Sequence, residues 1–174
     1  MADIFISSLF TQTSRLPYNY PMRDFEKISF KQFSKDIAPD RELYDSIIIP
    51  QRDSTSTAGY DLHLLSDISL APGEIIKIPT GLKSRFQPDE MLLLIVRSGT
   101  GFKYNIRLCN QVGVIDADYY NNPDNEGHLW IKIQNEDTVE HNFKKGDALV
   151  QGIFVKYLTT DSDQDRNQER RSSY

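Results

Sequence analysis

From Leu43 onward the chain is broken up too often for helices of ordinary length. Ile47-Ile48-Ile49 runs into Pro50, YDLHLLSD alternates, and SLAPGEIIKIPTGL sets a Pro-Gly turn between two apolar runs. MLLLIVR follows as a run rich in leucine and β-branched residues, then IRLCN, GVID, HLWIKIQN, TVEHNF and ALVQGIFVKYL. Apolar stretches of strand length, with turn signals about every 8–12 residues, bury area only by facing another sheet. The pattern predicts an all-β fold, a jelly-roll-like barrel or sandwich with hardly any helix. No internal repeat is visible.

The ends differ from this body. Residues 1–21, with Pro17 and Pro21, read as an N-terminal extension lying on the domain. FEKISFKQFSKDI (25–37) has mixed spacing that predicts a strand followed by a helix. The β domain is expected over residues 22–158. Residues 159–174, TTDSDQDRNQERRSSY, have no apolar periodicity and read as a flexible tail.

Composition narrows the function. A chain of 174 residues suffices for one domain with a real core. Its net charge of −5 leaves no basic surplus to displace counterions from a nucleic-acid backbone. The single cysteine, Cys109, excludes an internal disulfide and suits a reducing compartment. No apolar run approaches the ~20 residues of a membrane helix, and IFISSLF lacks the positive charges of a secretion signal. A cytoplasmic protein without nucleic-acid or membrane partners is expected.

Four stretches carry polar chemistry at strand ends. Ala58-Gly59-Tyr60-Asp61-Leu62 places small residues before an acid. Arg97-Ser98-Gly99-Thr100-Gly101 combines a guanidinium and a hydroxyl with glycines that let backbone N–H groups approach an anion. It lacks the spacing of a Walker loop. Asn105 suits a positive-φ turn, which would make 102–110 a hairpin able to read a base through its backbone, with Asn110 adding an amide. The same third stretch runs on into GVIDADYY (113–120), which sets Asp116 and Asp118 one residue apart, where a strand would hold both on one face. Gly146-Asp147-Ala148-Leu149-Val150-Gln151 turns into a strand bearing one glutamine.

Singly these are weak signals. Their order, A-G-Y-D-L, R-S-G-x-G, N-x-x-x-x-x-D-A-D-Y, then G-D-x-x-x-Q-G-I-F, resembles the homotrimeric dUTP diphosphatase (dUTPase) family from about Met22 to Leu158. The resemblance implies a jelly-roll homotrimer with active sites between subunits that hydrolyses dUTP to dUMP and pyrophosphate with Mg²⁺. It assigns Asp116 as the general base for the attacking water and Gln151 as its catalytic neighbour near the α-phosphate. Asp118 becomes a structural partner. Arg97, Ser98 and Gly99 match phosphate-side positions, Asn110 and Gly113 the uracil side, and Tyr119 the ring beneath the deoxyribose. Asp61 matches the acid that holds Mg²⁺ through water.

Two departures stand out. Ala148 replaces an arginine that many members carry in the fourth motif. The fifth motif is present only in its first half, with Arg170 and Arg171 at phosphate-binding positions and Tyr174 where the base-stacking aromatic belongs. Two rival readings remain: a dUTPase-like protein that binds nucleotide but turns over slowly, and a dCTP deaminase of the same fold. His63, His128 and His141 are expected as surface or packing residues and Trp130 as core. Cys109, without a paired histidine motif, is not expected to be a nucleophile.

Overall fold

The computed structural model describes residues 23–163. The expected strand-then-helix at the start is present: β1 (Asp24–Lys27) leads into α1 (Phe30–Asp36), and α2 (Arg41–Asp45) follows. Each helix begins at a side-chain cap. Ser29 Oγ accepts from the Gln32 N–H at 3.1 Å and Asp40 Oδ1 from the Leu43 N–H at 2.9 Å, which satisfies N–H groups that have no intrahelical acceptor.

The body is antiparallel β, as its punctuation predicts. It comprises β2 (Tyr60–His63), β3 (Ile68–Leu70), β4 (Ile75–Pro79), β5 (Leu82–Arg85), β6 (Glu90–Val96), a short α3 (Ser98–Tyr104), β7 (Ile106–Leu108) and β8 (Gly113–Asp116). One 3₁₀ turn (Ala117–Tyr119) then leads to β9 (Trp130–Asn135), β10 (His141–Phe143) and β11 (Ala148–Lys156). The strands pair in the orders β2-β11-β6-β8 and β4-β9-β7, with β1-β5 and β3-β10 as two-stranded pairs. Among the described residues no helix is long and apolar enough to cross a membrane.

The four-stranded sheet has two unlike faces, because directly paired residues share a face. Leu62, Val150, Leu92, Leu94 and Gly152 are buried inward against Phe25, Ile106, Leu108 and Ile133. At Gly152 the packing reaches the backbone, since a Cβ would lie 2.9 Å from Leu92 Cδ1 and 3.4 Å from Phe25 Cζ. On the other face, Met91, Leu93, Ile95, Ile153 and Val155 are only half-buried and Val114 is exposed.

Three local expectations need correction. Residues 102–110 do not form a hairpin. Ser98–Tyr104 is helical, and Asn105, at φ 47°, is its left-handed C-cap. Positive φ at asparagine serves a helix end as readily as a turn. Asp116 and Asp118 do not share a strand face either, because the 3₁₀ turn carries Asp118 off β8 and into solvent. Trp130 is half-buried at the start of β9 rather than in the core.

Leu92 is fully buried, opposite Ile115 on one side and Phe154 on the other. Leu92→Ala is expected to lower the unfolding free energy by about 2–5 kcal/mol in denaturant titration. A loss below ~1 kcal/mol would show that the inner face of β6 repacks freely.

Candidate functional site

The polar residues singled out by sequence fall into two groups at different places on the four-stranded sheet. The first gathers where β2, β11 and the end of β6 meet. Gln151 of β11 pairs with Asp61 of β2 and with Ile95 of β6. Arg97 continues from β6, donates its backbone N–H to the Leu149 carbonyl at 2.9 Å, and sets Nε 3.1 Å from Asp61 Oδ1. Burial raises the Asp61 carboxyl above its ordinary range, and Arg97 opposes that shift without cancelling it. Arg97 Nη1 also donates to the Ala148 carbonyl at 3.3 Å, so the backbone, not the side chain, of Ala148 enters this corner.

Ser98 and Gly99 open α3, whose N-cap, Arg97, supplies no side-chain cap. The first N–H groups of a helix lack intrahelical acceptors, so this turn presents donors beside an arginine. The glycine of A-G-Y-D-L has a spatial reason. A Cβ on Gly59 would lie 1.9 Å from Gln151 Oε1, so the glutamine amide occupies the space that Gly59 leaves open.

The second group lines a cavity of about 440 Å³ between the sheets. Asn110, Gly113 and Tyr119 lie in its wall with Cys109, Trp130 and Lys132. The Tyr119 ring is buried. Its hydroxyl donates to the His128 carbonyl at 3.2 Å and accepts from Asn125 Nδ2 at 2.7 Å. Lys77 also lines the cavity, with its ammonium 4.3 Å from the centre of the Trp130 ring.

Trp130, Lys77 and Lys132 were not among the residues expected at a site. A signal exists in W-I-K-I-Q, where period-2 alternation puts Trp130, Lys132 and Gln134 on one face and Ile131 and Ile133 in the core. Lys77 carries no comparable mark.

His128 is a packing residue, as expected. It is fully buried, with Nε2 accepting the Gly81 N–H at 3.0 Å and Nδ1 2.7 Å from Asp36 Oδ2. An Nε2 that accepts a backbone N–H is unprotonated, so Nδ1 carries the proton and donates to Asp36. Burial keeps the ring's pKa below its usual value, against the pull of Asp36. Both nitrogens being engaged, His128 is not a base for Cys109, whose thiol is free and half-buried in the same cavity. His63 Nδ1 lies 2.8 Å from the Gly146 carbonyl and His141 Nε2 3.0 Å from Asp137 Oδ2, so these two also serve structure.

Asp116, at the end of β8, is half-buried and is not part of the cavity wall. It pairs with Met91, whereas Gln151 pairs with Ile95. Four residues along β6 and two strand spacings separate these positions by about 16 Å. One chain therefore does not bring Asp116 and Gln151 together. Arg170, Arg171 and Tyr174 lie outside the described residues.

The dUTPase family model matches residues 45–174. The deoxyuridine 5'-triphosphate nucleotidohydrolase of Lactococcus lactis is 45% identical over 126 residues, 72% of this chain and 84% of that protein. The crystal structure of dUTPase from Streptococcus mutans superposes with a TM-score of 0.66 at 35% identity, covering 80% of this chain and 99% of that one. A dUTPase mutant of Staphylococcus bacteriophage 80alpha, solved with dUpNHpp, shares the fold at a TM-score of 0.61 and 21% identity, covering 87% and 92%.

Gly59→Ala tests the contact between the first and fourth polar stretches. The obstructing atom is the end of a flexible side chain, so stability should fall by only about 1 kcal/mol while the Gln151 side-chain amide resonances move. A large loss of stability with unmoved amide signals would show that backbone, not Gln151, fills that space.

Proposed function

Since this chain belongs to the dUTPase family, we propose that it hydrolyses dUTP to dUMP and pyrophosphate in sites assembled between subunits of a homotrimer. The observation that carries this reading is the separation of the two polar groups. Asp61, Arg97 and Gln151 stand at one end of β6, and Asp116 stands opposite the other end, with Tyr119 just beyond it. A single phosphorus cannot be reached by both from one chain. A second copy resolves the problem if its Asp116 meets the first copy's Gln151. The half-buried face of Met91, Leu93, Ile95, Ile153 and Val155, with exposed Val114, supports such packing, because association would take apolar area out of water.

In this reading Asp116 holds a water in line with the α-phosphorus and takes its proton as the new P–O bond forms. The bond from phosphorus to the bridging oxygen breaks, and pyrophosphate leaves. An ordinary carboxylate is a weak base, so positioning must supply much of the rate. Ser98 and the opening N–H groups of α3 donate to the oxygen on which leaving-group charge grows. Arg97 adds charge-assisted bonds to the same oxygens, and Gln151 orients the water.

Asn110 reads the base, with the backbone around Gly113. The Tyr119 ring forms the wall beneath the sugar, held at its hydroxyl by two hydrogen bonds. A rigid aromatic wall excludes an added hydroxyl by shape. Arg170, Arg171 and Tyr174 would approach the γ-phosphate and the uracil face.

The residues also fit Mg²⁺. Asp61 is a desolvated carboxylate whose shift Arg97 alone does not reverse, a setting that favours a further cation. Among the described residues no cluster of three or more potential ligands exists. That suits an ion taking most of its ligands from water and substrate phosphates, with Asp61 reaching it through water. Bound there, it would neutralise phosphate charge.

Pyrophosphate release from dUTP with Mg²⁺ tests the activity directly, and its absence would overturn the reading. Asp116→Asn keeps the shape of the side chain but not its basicity. It should bind a dUTP analogue as well as wild type does, with kcat reduced far more than tenfold. Retention of over a tenth of the rate, about 1.4 kcal/mol, would remove Asp116 from the role of base.

A further inference from the structure

Tyr119 is anchored by a loop, and that loop is fastened from outside by the N-terminal helix. Residues 120–128 run from the 3₁₀ turn back toward β9. Asn125 and His128 bind the Tyr119 hydroxyl from within this loop. Gly127, at φ +76°, passes so near that a Cβ would lie 2.3 Å from the Tyr119 carbonyl oxygen. The ring therefore moves only if the loop moves.

The segment from β1 through α1 grips the same loop at four points. The Tyr120 hydroxyl donates to Glu26 Oε2 at 2.9 Å. At the N-terminus of α1, the Ser29 N–H and hydroxyl both donate to the Glu126 carboxylate, at 2.8 and 2.5 Å. Lys35 Nζ donates to the Asp124 carbonyl at 3.2 Å. At the other end of α1, Asp36 accepts from buried His128 at 2.7 Å. The His128 ring sits 4.7 Å from that of Trp130 in the cavity wall. Residues 24–36 lie upstream of the family-model match, which begins at residue 45.

We propose that Asp36 and Ser29, acting through His128 and Glu126, position the Tyr119 ring and thereby set the preference for a nucleotide without a 2′-hydroxyl. This rests on the reading of Tyr119 as the sugar wall. Shape alone rejects an added hydroxyl by only about a hundredfold. A wall that yields by a fraction of an ångström gives up much of that margin. Asp36 and Ser29 are outside the cavity lining and touch no substrate in this reading. They are positioning residues.

The test compares UMP with dUMP. Trp130 is the only tryptophan, so its fluorescence reports binding in the cavity. Wild type should prefer dUMP. Asp36→Asn, which keeps an oxygen able to accept from His128, should retain that preference. Asp36→Ala should lose about tenfold of it, mainly through tighter UMP binding. A folded Asp36→Ala with the wild-type ratio overturns the proposal. If Asp36→Ala does not fold, Glu126→Ala, at the partly exposed end of the clamp, carries the test with the same two outcomes. A wild-type protein that binds neither nucleotide and releases no pyrophosphate from dUTP refutes the functional reading instead. The clamp is then judged by Trp130 emission, which shifts to the red in Asp36→Ala if α1 holds the wall and stays unchanged if it does not.

Discussion

The pairing of β6 with β11 on one side and β8 on the other determines where Asp61, Arg97, Gln151 and Asp116 stand. β6 is seven residues long and is hydrogen-bonded along most of its length, so the distance between its ends is not adjustable. Gln151 and Asp61 are fixed near Ile95, Arg97 follows the last strand residue, and Asp116 is fixed opposite Met91. The inner face of the same strand holds the core through Leu92 and Leu94. Stability and site geometry thus come from one element. A change that shifted β6 by one residue would exchange its two faces and lose both.

Much of this was legible in the sequence, for identifiable reasons. The β body was readable because its apolar runs are short and bounded by proline, glycine and asparagine. The strand–helix start was readable from the spacing of Phe25, Ile28 and Phe33. The polar stretches showed as small-residue and acid combinations at strand ends, and their order carried the family, to which the family match agrees. What stayed hidden was three-dimensional. R-S-G-T-G reads as a turn at a strand end, yet it opens a helix that runs to a left-handed stop at Asn105. D-A-D reads as two acids on one face until the 3₁₀ turn separates them. The hold of Asp36 on His128 joins residues 92 apart in sequence, and no local pattern announces it.

The electrostatics are consistent with handling an anion on an acidic protein. With a net charge of −5, attraction to phosphate has to be local, and in the proposed reading Arg97 supplies it beside the opening N–H groups of α3. Asp61 sits beside Arg97 under partial burial, so the corner presents both signs of charge within one contact distance. Such a corner suits a substrate whose phosphates arrive with a cation. The cavity proposed for the nucleoside is different in character, being walled by Tyr119, Trp130 and Leu108 with Asn110 as its amide.

In the proposed reading the two polar groups work together only across chains. Mixing Asp116→Asn chains with Gln151→Ala chains separates this from a site built within one chain. Each variant alone should be nearly inactive. After unfolding, mixing in equal amounts and refolding together, every mixed trimer holds one site with both native halves, so about a quarter of wild-type activity should return. If the mixture remains as inactive as either parent, although mass measurement shows mixed trimers, then Asp116 and Gln151 do not meet between subunits and the account is wrong.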